Sequence, residues 1–174
     1  MTGLDIDALK RAIRDVPDFP QPGILFRDIT PLLADGPAFA SVVEAMAEPF
    51  RGISHVVAIE SRGFIIGAPV AFTLGAGLVP VRKVGRLPGT TLREDYGLEY
   101  GTNTVEIQTG AIKPGERVLI VDDVLATGGT VRAAANLVER LGATVAGITL
   151  LIELSFLDGR ALLPGHDVRS LIVY

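Results

Sequence analysis

Residues 118–130, VLIVDDVLATGGT, place a loop of small residues between an apolar run and a helical pattern. Backbone N–H groups at the start of a helix, together with the positive end of its dipole, bind phosphate well. Gly128 and Gly129 would allow the backbone to approach a ligand closely, and the hydroxyls of Thr127 and Thr130 would add donors. The loop therefore predicts a phosphate site.

Two adjacent aspartates, Asp122 and Asp123, separate the apolar run from this loop. Carboxylates accept hydrogen bonds from the vicinal hydroxyls of a sugar, or hold Mg²⁺ through water. The loop alone fits an ordinary strand–turn–helix connection equally well, but the acidic pair favours a binding site. The patterns of a P-loop (GxxxxGK followed by Ser or Thr) and of a dinucleotide fold (GxGxxG) are absent. Carboxylates for hydroxyls and amides for phosphate fit ribose 5-phosphate.

Several apolar runs of strand type end where polar residues begin, at 56–60, 79–82 and 117–121. Helical patterns separate these runs, and alternating buried strands and helices predict an α/β fold with a largely parallel central sheet flanked by helices. Ligands of such sheets bind beyond the carboxyl ends of the strands. The segments predicted to meet in one crevice are 60–63, 82–83 and 122–130.

The other elements are predicted from the same patterns. Helices are expected over 4–14, from Asp35 to about Ala47, from 63 to a turn at 75–77, and from 130 to 142, with further strands over 105–107, 144–151 and 170–173. Residues 15–23 contain three prolines and predict a loop. Residues 84–103 mix glycines, prolines and charges with little apolar periodicity, which predicts a long loop that is either functional or disordered. Residues 1–174 are expected to form a single domain.

Composition excludes several kinds of site. The 174 residues include no cysteine, so disulfides, zinc–thiolate sites, iron–sulfur clusters and thiol nucleophiles are ruled out. With two histidines, one chain cannot build a multi-histidine metal cage. The formal net charge of −4 argues against a protein whose main task is to grip nucleic acid.

One segment resembles a membrane span by length alone. Residues 63–81 are uncharged, but Pro69 and Pro80 and four glycines interrupt them. The segment is better interpreted as a buried helix, a glycine turn and a short strand. Asp5 and Asp7 precede any apolar stretch, which does not fit a signal peptide. No membrane association is expected, and the protein is predicted to be cytoplasmic.

Residues 118–130 resemble the signature with which type I phosphoribosyltransferases bind phosphoribosyl pyrophosphate (PRPP). In that family the acidic pair contacts the ribose hydroxyls and the following loop binds the 5′-phosphate. The resemblance implies the type I phosphoribosyltransferase fold and assigns the ribose to Asp122 and Asp123. The phosphate would be bound by Ala126, Thr127, Gly128, Gly129 and Thr130.

The acceptor base is indicated by residues 19–31, FPQPGILFRDITP, which resemble the base-recognition segment of adenine phosphoribosyltransferases. Residues 60–64 (ESRGF) and 98–108 (LEYGTNTVEIQ) resemble the same family in the same order. The base-recognition segment would span about 15–31. The resemblance implies adenine contacts from the backbone around Ile24 and the side chain of Arg27, with Phe26 nearby.

A physical argument supports this assignment. Adenine offers a donor amine and an acceptor N1, which backbone groups of an extended segment can pair with directly. Pro20, Pro22 and Gly23 are expected to keep the segment out of regular structure, so that its backbone groups stay free for a ligand. The alternative for Phe19 and Phe26 is ordinary core packing.

Transfer from PRPP releases pyrophosphate, and positive charge and backbone N–H donors would stabilise this leaving group. Ser61, Arg62 and Gly63 resemble the pyrophosphate loop of the family. Arg82 and Lys83 end the next strand and would add charge, in their own site or across a dimer interface. A solvated strand end is an almost equally good interpretation of these two residues.

Residues 84–103 resemble the flexible hood that closes over PRPP in the family, which would exclude water. Glu99 corresponds to the glutamate proposed there as acid/base at the imidazole edge of the base, and Tyr96 and Tyr100 would shape the lid. Without the resemblance, Glu99 would be interpreted as a solvated loop charge.

The resemblance implies a Mg²⁺-dependent pentosyltransferase of purine salvage, a homodimer, that converts adenine and PRPP into AMP and pyrophosphate. Mg²⁺ would be held through PRPP and water, with no direct protein ligand. A first alternative is an enzyme for another purine, which residues 19–29 disfavour. A second is a PRPP-sensing regulator that binds nucleic acid, which the net charge and the absence of spare length disfavour.

Overall fold

The computed structural model describes residues 4–98 and 101–174. The helices are α1 (Ile6–Ala12), α2 (Thr30–Ala34), α3 (Gly36–Ala47), α4 (Arg62–Leu74) and α5 (Gly129–Arg140). The strands are β1 (Arg14–Pro17), β2 (Leu25–Asp28), β3 (His55–Ile59), β4 (Gly77–Lys83), β5 (Thr91–Leu98), β6 (Gly101–Gln108), β7 (Arg117–Leu125), β8 (Thr144–Glu153) and β9 (Val168–Val173). Short 3₁₀ turns follow α3 and β8.

A seven-stranded sheet with the order β5-β6-β4-β3-β7-β8-β9 forms the centre of the fold. β4, β3, β7, β8 and β9 run parallel to one another, while β6 pairs antiparallel with both β4 and β5. The α/β architecture with a largely parallel sheet, predicted from alternating patterns, is confirmed.

Both faces of the sheet are covered, because successive side chains of a strand point to opposite sides. Val57 and Ile120 pack into one core with the apolar face of α5. Val56 and Leu119 pack into a second core with α1, α3 and α4. Strands buried on both faces explain the uninterrupted apolar runs in the sequence.

Local signals set the ends of the helices as predicted. The Asp35 carboxylate caps α3 by accepting the N–H of Ala38 at 3.1 Å. Gly75 ends α4 in the left-handed region, at φ +64°, and Gly142 follows α5 at φ +81°. Within the described residues no helix is long and apolar enough to cross a membrane. The span-like segment is a helix, a turn and a strand, although Ile65 and Phe72 leave one face of α4 exposed.

Two segments predicted as loops contain strands. In the first, Val16 pairs with Phe26 in a two-stranded antiparallel ribbon. Pro17 ends β1, and only Pro20 and Pro22 lie in the turn between β1 and β2. In the second, Asp95 of β5 pairs with Thr104 of β6, and part of 84–103 is therefore a hairpin. Leu92 packs against the core from this hairpin. With so few apolar side chains facing the core, the alternation of apolar and polar residues is too weak for the strand to be predicted from the sequence.

A buried carboxylate fixes the base of the hairpin. Glu106, 1% exposed, accepts the backbone N–H groups of Gly85, Arg86 and Leu87 at 2.9–3.2 Å and the hydroxyl of Thr91 at 3.0 Å. Burial opposes ionisation, but these hydrogen bonds prevail and lower the pKa of Glu106. The turn that enters the hairpin is thus organised around one charge.

Candidate active site

The strand order changes direction between β3 and β7. β3 connects through α4 to β4 on one side, whereas β7 connects through α5 to β8 on the other. Such a switch point opens a crevice at the carboxyl ends of the two strands. The predicted segments 60–63, 82–83 and 122–130 all begin at this edge of the sheet, as expected from the sequence.

Asp122 and Asp123 lie in β7, which continues to Leu125 rather than ending at the pair as the sequence predicted. The strand continues because Val124 and Leu125 still pair with β8. Both aspartates are buried, with 8% and 5% of their surface exposed. Asp122 Oδ1 accepts the backbone N–H of Asp123 at 2.9 Å, and Arg62 Nε lies 2.6 Å from Asp123 Oδ2.

Burial and mutual repulsion dominate the electrostatics of this pair. Burial and the charge of Asp123 raise the pKa of Asp122. Burial also raises the pKa of Asp123, while Arg62 opposes the shift. A cation or hydroxyl donors brought by a ligand would relieve this cost.

Gly63 brings the start of α4 against the acidic pair. A Cβ atom at this position would lie 2.7 Å from Asp122 Oδ1 and 3.2 Å from the carbonyl oxygen of Val121. Only glycine therefore lets α4 approach β7 this closely. Ser61 precedes the helix and is exposed, so the first residues of α4 face the crevice beside two carboxylates.

Arg82 is held by an ion pair at the end of β4. Its Nε and Nη2 donate to the two carboxylate oxygens of Glu60 at 3.1 and 3.3 Å, and its Nη1 donates to the carbonyl of Arg86 at 3.0 Å. Burial raises the pKa of Glu60, but hydrogen bonds from Arg82 and the N–H of Lys83 lower it overall. The Lys83 side chain is exposed at the same strand end.

The predicted phosphate loop bends over Ala126, Thr127 and Gly128 before α5 begins at Gly129. Gly128 has φ +84°, a left-handed conformation that favours glycine. Thr130 lies in the first turn of α5, whose N–H groups have no acceptor within the helix. Thr127 is exposed and Gly128 is buried. The loop and the start of α5 therefore carry backbone N–H donors that the helix itself does not use.

The base-recognition segment reaches the same place through Phe26. The guanidinium of Arg62 lies 4.8 Å from the centre of the Phe26 ring, and Phe19 packs edge-on against that ring at 5.1 Å. Arg62 thus contacts Asp123 on one side and the ribbon on the other. One guanidinium joins the predicted sugar and base sites.

The backbone around Ile24 is less free than expected. Its N–H donates to the carbonyl of Gln21 at 3.3 Å and its carbonyl accepts the N–H of Phe19 at 3.3 Å, closing the turn of the ribbon. Gly23, at φ +87°, donates to the Asp18 carboxylate at 2.8 Å. The prediction of unpaired backbone groups is wrong at Ile24, because the turn satisfies them internally.

Arg27 points away from Phe26, as neighbours on a strand do. Its guanidinium pairs with Asp15 and lies 3.8 Å from the centre of the Tyr174 ring. Sequence reasoning gave Tyr174 no role, and an isolated tyrosine far along the chain carries no signal for this contact. The structure brings Phe26, but not the Arg27 guanidinium, next to Arg62.

The hairpin lies over the start of α5. A Cβ atom at Gly129 would be 3.1 Å from Tyr96 Cδ2, so strand β5 touches the phosphate loop. Glu94 accepts a hydrogen bond from Asn136 at 2.7 Å and pairs with Arg140 at 2.6 Å, which ties the hairpin to the helix. Glu99 and Tyr100 lie outside the described residues.

The chain is similar to known proteins over most of its length. Residues 32–162 match the family model described as the phosphoribosyl transferase domain. An adenine phosphoribosyltransferase of Carboxydothermus hydrogenoformans is 57% identical over 168 residues, covering 95% of this chain and 99% of its own. The one from Thermobifida fusca is 56% identical over 165 residues, covering 94% of each chain.

Solved structures give the same result for the fold. The adenine phosphoribosyltransferase of Thermoanaerobacter pseudethanolicus superimposes with a TM-score of 0.93 at 52% identity, covering 97% of this chain and 99% of its own. The Saccharomyces cerevisiae enzyme, complexed with adenine and an imino-altritol bisphosphate, gives 0.90 at 42% identity, covering 95% and 97%. Family model, relatives and fold agree over nearly the whole sequence, and the chain belongs to the adenine phosphoribosyltransferase family of type I phosphoribosyltransferases.

Proposed function

We propose that the crevice between β3 and β7 transfers the 5-phosphoribosyl group of PRPP to adenine, giving AMP and pyrophosphate in purine salvage. The observation that carries this proposal is the position of Arg62, which contacts the Asp123 carboxylate and the Phe26 ring at once. A sugar site and a base site that share one guanidinium suit a reaction that joins a base to a sugar.

On the sugar side, Asp122 and Asp123 would accept hydrogen bonds from the ribose hydroxyls. The 5′-phosphate would bind to the backbone of residues 126–130, where the start of α5 and the glycines provide N–H donors. The buried pair would gain most from a ligand that supplies donors, because it is poorly solvated without one.

On the leaving-group side, pyrophosphate would be bound by Ser61, Arg62 and Gly63, with the exposed Lys83 adding charge. Arg82 would act mainly by holding Glu60 and the strand end, because its Nε, Nη1 and Nη2 each already donate a hydrogen bond within the fold. The charged and N–H groups of these residues would act mainly by stabilising the negative charge that develops on the oxygens of pyrophosphate as it leaves.

On the base side, we assign adenine to Ile24, Phe26 and Arg27, with Ile24 contributing its exposed side chain because its backbone groups are paired in the turn. Phe26 would contact the ring, and Arg27 would contribute through its backbone, since its side chain is held by Asp15 and Tyr174. In a two-stranded ribbon every second residue of β2 directs its N–H and C=O away from β1. That free edge offers the donor and acceptor pattern that adenine requires.

The reaction forms a bond from adenine N9 to C1′ and breaks the C1′–oxygen bond, whose electron pair leaves with pyrophosphate. Positive charge grows on the sugar as this bond breaks, and the carboxylates of Asp122 and Asp123 would stabilise it. By the family resemblance, Glu99 would act as the acid/base that exchanges a proton with the imidazole edge of adenine.

Replacing Glu99 by Gln tests that role. We expect Glu99→Gln to lower kcat by roughly 10²-fold or more, because general acid/base groups contribute about 10²–10⁴-fold, while adenine affinity changes little. Turnover at the wild-type rate would make Glu99 a solvated surface charge. Single-turnover kinetics would separate the chemical step from product release.

Mg²⁺ would bind together with PRPP. The two carboxylates offer the oxygen donors that a hard cation prefers. Over residues 4–98 and 101–174, no group of three or more His, Asp or Glu side chains could hold a metal ion alone. Mg²⁺ would therefore be held through PRPP oxygens and water near Asp122 and Asp123, and when bound it would neutralise charge on the leaving group.

A homodimer is proposed from the exposed face of α4. Phe72, 87% exposed, and Ile65, 48% exposed, lie two turns apart on α4, and Leu78 on the following strand β4 is also exposed. Sedimentation equilibrium would give the mass of the assembly, and a monomer at micromolar concentration would contradict the proposal. We also place the enzyme in the cytoplasm, since PRPP is too highly charged to cross membranes.

Product analysis with PRPP and Mg²⁺ tests the function directly, with adenine, guanine, hypoxanthine and xanthine offered separately. AMP formed from adenine alone is the expected result. Turnover of a 6-oxopurine instead would retain the sugar site and overturn the base assignment. Tight PRPP binding without turnover of any base would favour a PRPP-binding regulator.

A further inference from the structure

The segment that follows β8 touches the phosphate loop from outside the signature. A Cβ atom on Gly159 would lie 2.9 Å from the backbone nitrogen of Gly128, 3.0 Å from the carbonyl carbon of Ala126, and closer still to its oxygen. A Cβ atom on Gly128 would conversely lie 3.0 Å from the carbonyl carbon of Gly159. Two backbone segments are therefore in direct contact, with a glycine on each side.

The two glycines are required for different reasons. Gly128 has a left-handed backbone, at φ +84°, so a side chain there would be strained in any surroundings. Gly159 is not among the residues with positive φ. Its backbone would accept alanine, and only the closeness of Ala126 and Gly128 forbids it.

An ion pair holds Gly159 in this place. Arg160 donates to both carboxylate oxygens of Glu153, at 3.0 and 2.5 Å, and to the carbonyl oxygen of Val168 at 2.7 Å. Glu153 is buried at the end of β8, where it pairs with Leu125 just before the phosphate loop. Arg160, and with it the adjacent Gly159, is thus anchored to β8 and β9 beside β7, the strand that leads into the phosphate loop.

We propose that Gly159 is a positioning residue for the 5′-phosphate: its bare backbone supports Ala126 and Gly128 and thereby sets the direction of the loop N–H groups. Glu153 and Arg160 hold this support in place. The proposal rests on the proposed function insofar as the loop binds a sugar phosphate. Because hydrogen bonds weaken steeply with misalignment, a shift of the loop by the width of one methyl group would impair phosphate binding.

Gly159→Ala tests the proposal. We expect the Kd for ribose 5-phosphate and for AMP, and the KM for PRPP, to rise at least tenfold. The Kd for pyrophosphate and the KM for adenine should stay within about twofold, because their sites do not use this loop. Gly110→Ala is the matched control, since Gly110 is exposed, has no positive φ, and has open space around its Cβ position.

Unchanged affinity of Gly159→Ala for ribose 5-phosphate would overturn the proposal, as would an equal loss of affinity for ribose 5-phosphate and pyrophosphate. Arg160→Gln keeps the inference testable if Gly159→Ala does not fold, because it releases the support without adding an atom at 159. A smaller, two- to fivefold loss confined to the same phosphate ligands is expected, and wild-type affinity would contradict it. If wild-type protein binds ribose 5-phosphate but turns over no base, the proposed function fails and the role of Gly159 is still decided.

Discussion

On the ribose–phosphate side of the crevice, the functional groups stand on the central sheet itself, with Asp122 and Asp123 buried in β7 and the phosphate loop supported by Gly159. On the base side, Phe26 stands on a two-stranded ribbon outside that sheet. The ribbon is held by surface ion pairs such as Arg14–Asp28 at 2.7 Å. Surface pairs contribute little to stability, so the base side can change while the core stays intact.

This contrast separates two kinds of mutation. A change at the buried pair alters ligand binding and folding together, because the same carboxylates are costly to bury and necessary for the ligand. A change in the ribbon alters base recognition with little effect on the fold. The following predictions test that separation.

The largest effect is expected from Asp123→Asn. Loss of a charged acceptor costs up to about 3 kcal/mol, or roughly 100-fold in kcat/KM for PRPP. Thermal stability should not fall, since burial already raises the pKa of Asp123 and makes its charge unfavourable. Steady-state kinetics and thermal unfolding measure both quantities. Asp167→Asn, at the exposed far end of the sheet, is the control, and an unchanged PRPP affinity in Asp123→Asn would remove the ribose role.

Phe26→Ala should act on the base alone. An aromatic contact is worth about 0.5–1.5 kcal/mol, so the KM for adenine should rise by up to about tenfold while the KM for PRPP changes less than twofold. Leu25→Ala removes an apolar side chain from the opposite face of the same strand and should leave both constants near wild type. Equal changes in the two KM values would show that the ribbon also shapes the sugar site.

Sequence patterns predicted the ribose–phosphate side better than the base side. Apolar runs and glycine loops are local signals, so the strand ends carrying Asp122 and Gly128 were predicted within a few residues. The support from Gly159 joins positions about thirty residues apart through backbone contact, which leaves no periodic signal. The hairpin was missed for a similar reason, since Glu106 organises it through hydrogen bonds rather than an apolar pattern.

Asp122→Asn should stabilise the protein at neutral pH. Burial and the charge of Asp123 raise the pKa of Asp122 above the 3.8 of a free aspartate, so the folded state binds this proton more tightly than the unfolded state. The free energy of unfolding of the wild type therefore decreases as pH rises from about 4 through the raised pKa. The variant cannot ionise at this position and lacks this loss, so its free energy of unfolding at pH 8 should exceed that of the wild type.

Urea unfolding of the wild type and Asp122→Asn at pH 5 and pH 8 measures this difference. Comparing the two proteins cancels the titration of distant groups, while Asp123 and Arg62 face Asp122 in both. A variant that is less stable than wild type at pH 8 would show that the ionised pair is well compensated in the fold.

The smallest effect is expected from Glu94→Gln, which weakens the attachment of the hairpin to α5. The Arg140 side chain is 47% exposed, so its pair with Glu94 is worth about 0.2–1 kcal/mol and is screened by salt. The KM for PRPP should rise about two- to threefold at low ionic strength, because Tyr96 then contacts Gly129 less often, and less at high ionic strength. Glu139→Gln, a change to an exposed glutamate on the same helix, is the control. A larger change in KM than that caused by Phe26→Ala would mean that the hairpin contributes directly to binding on the ribose–phosphate side. A KM that depends on neither salt nor the substitution would mean that contacts other than this ion pair hold the hairpin.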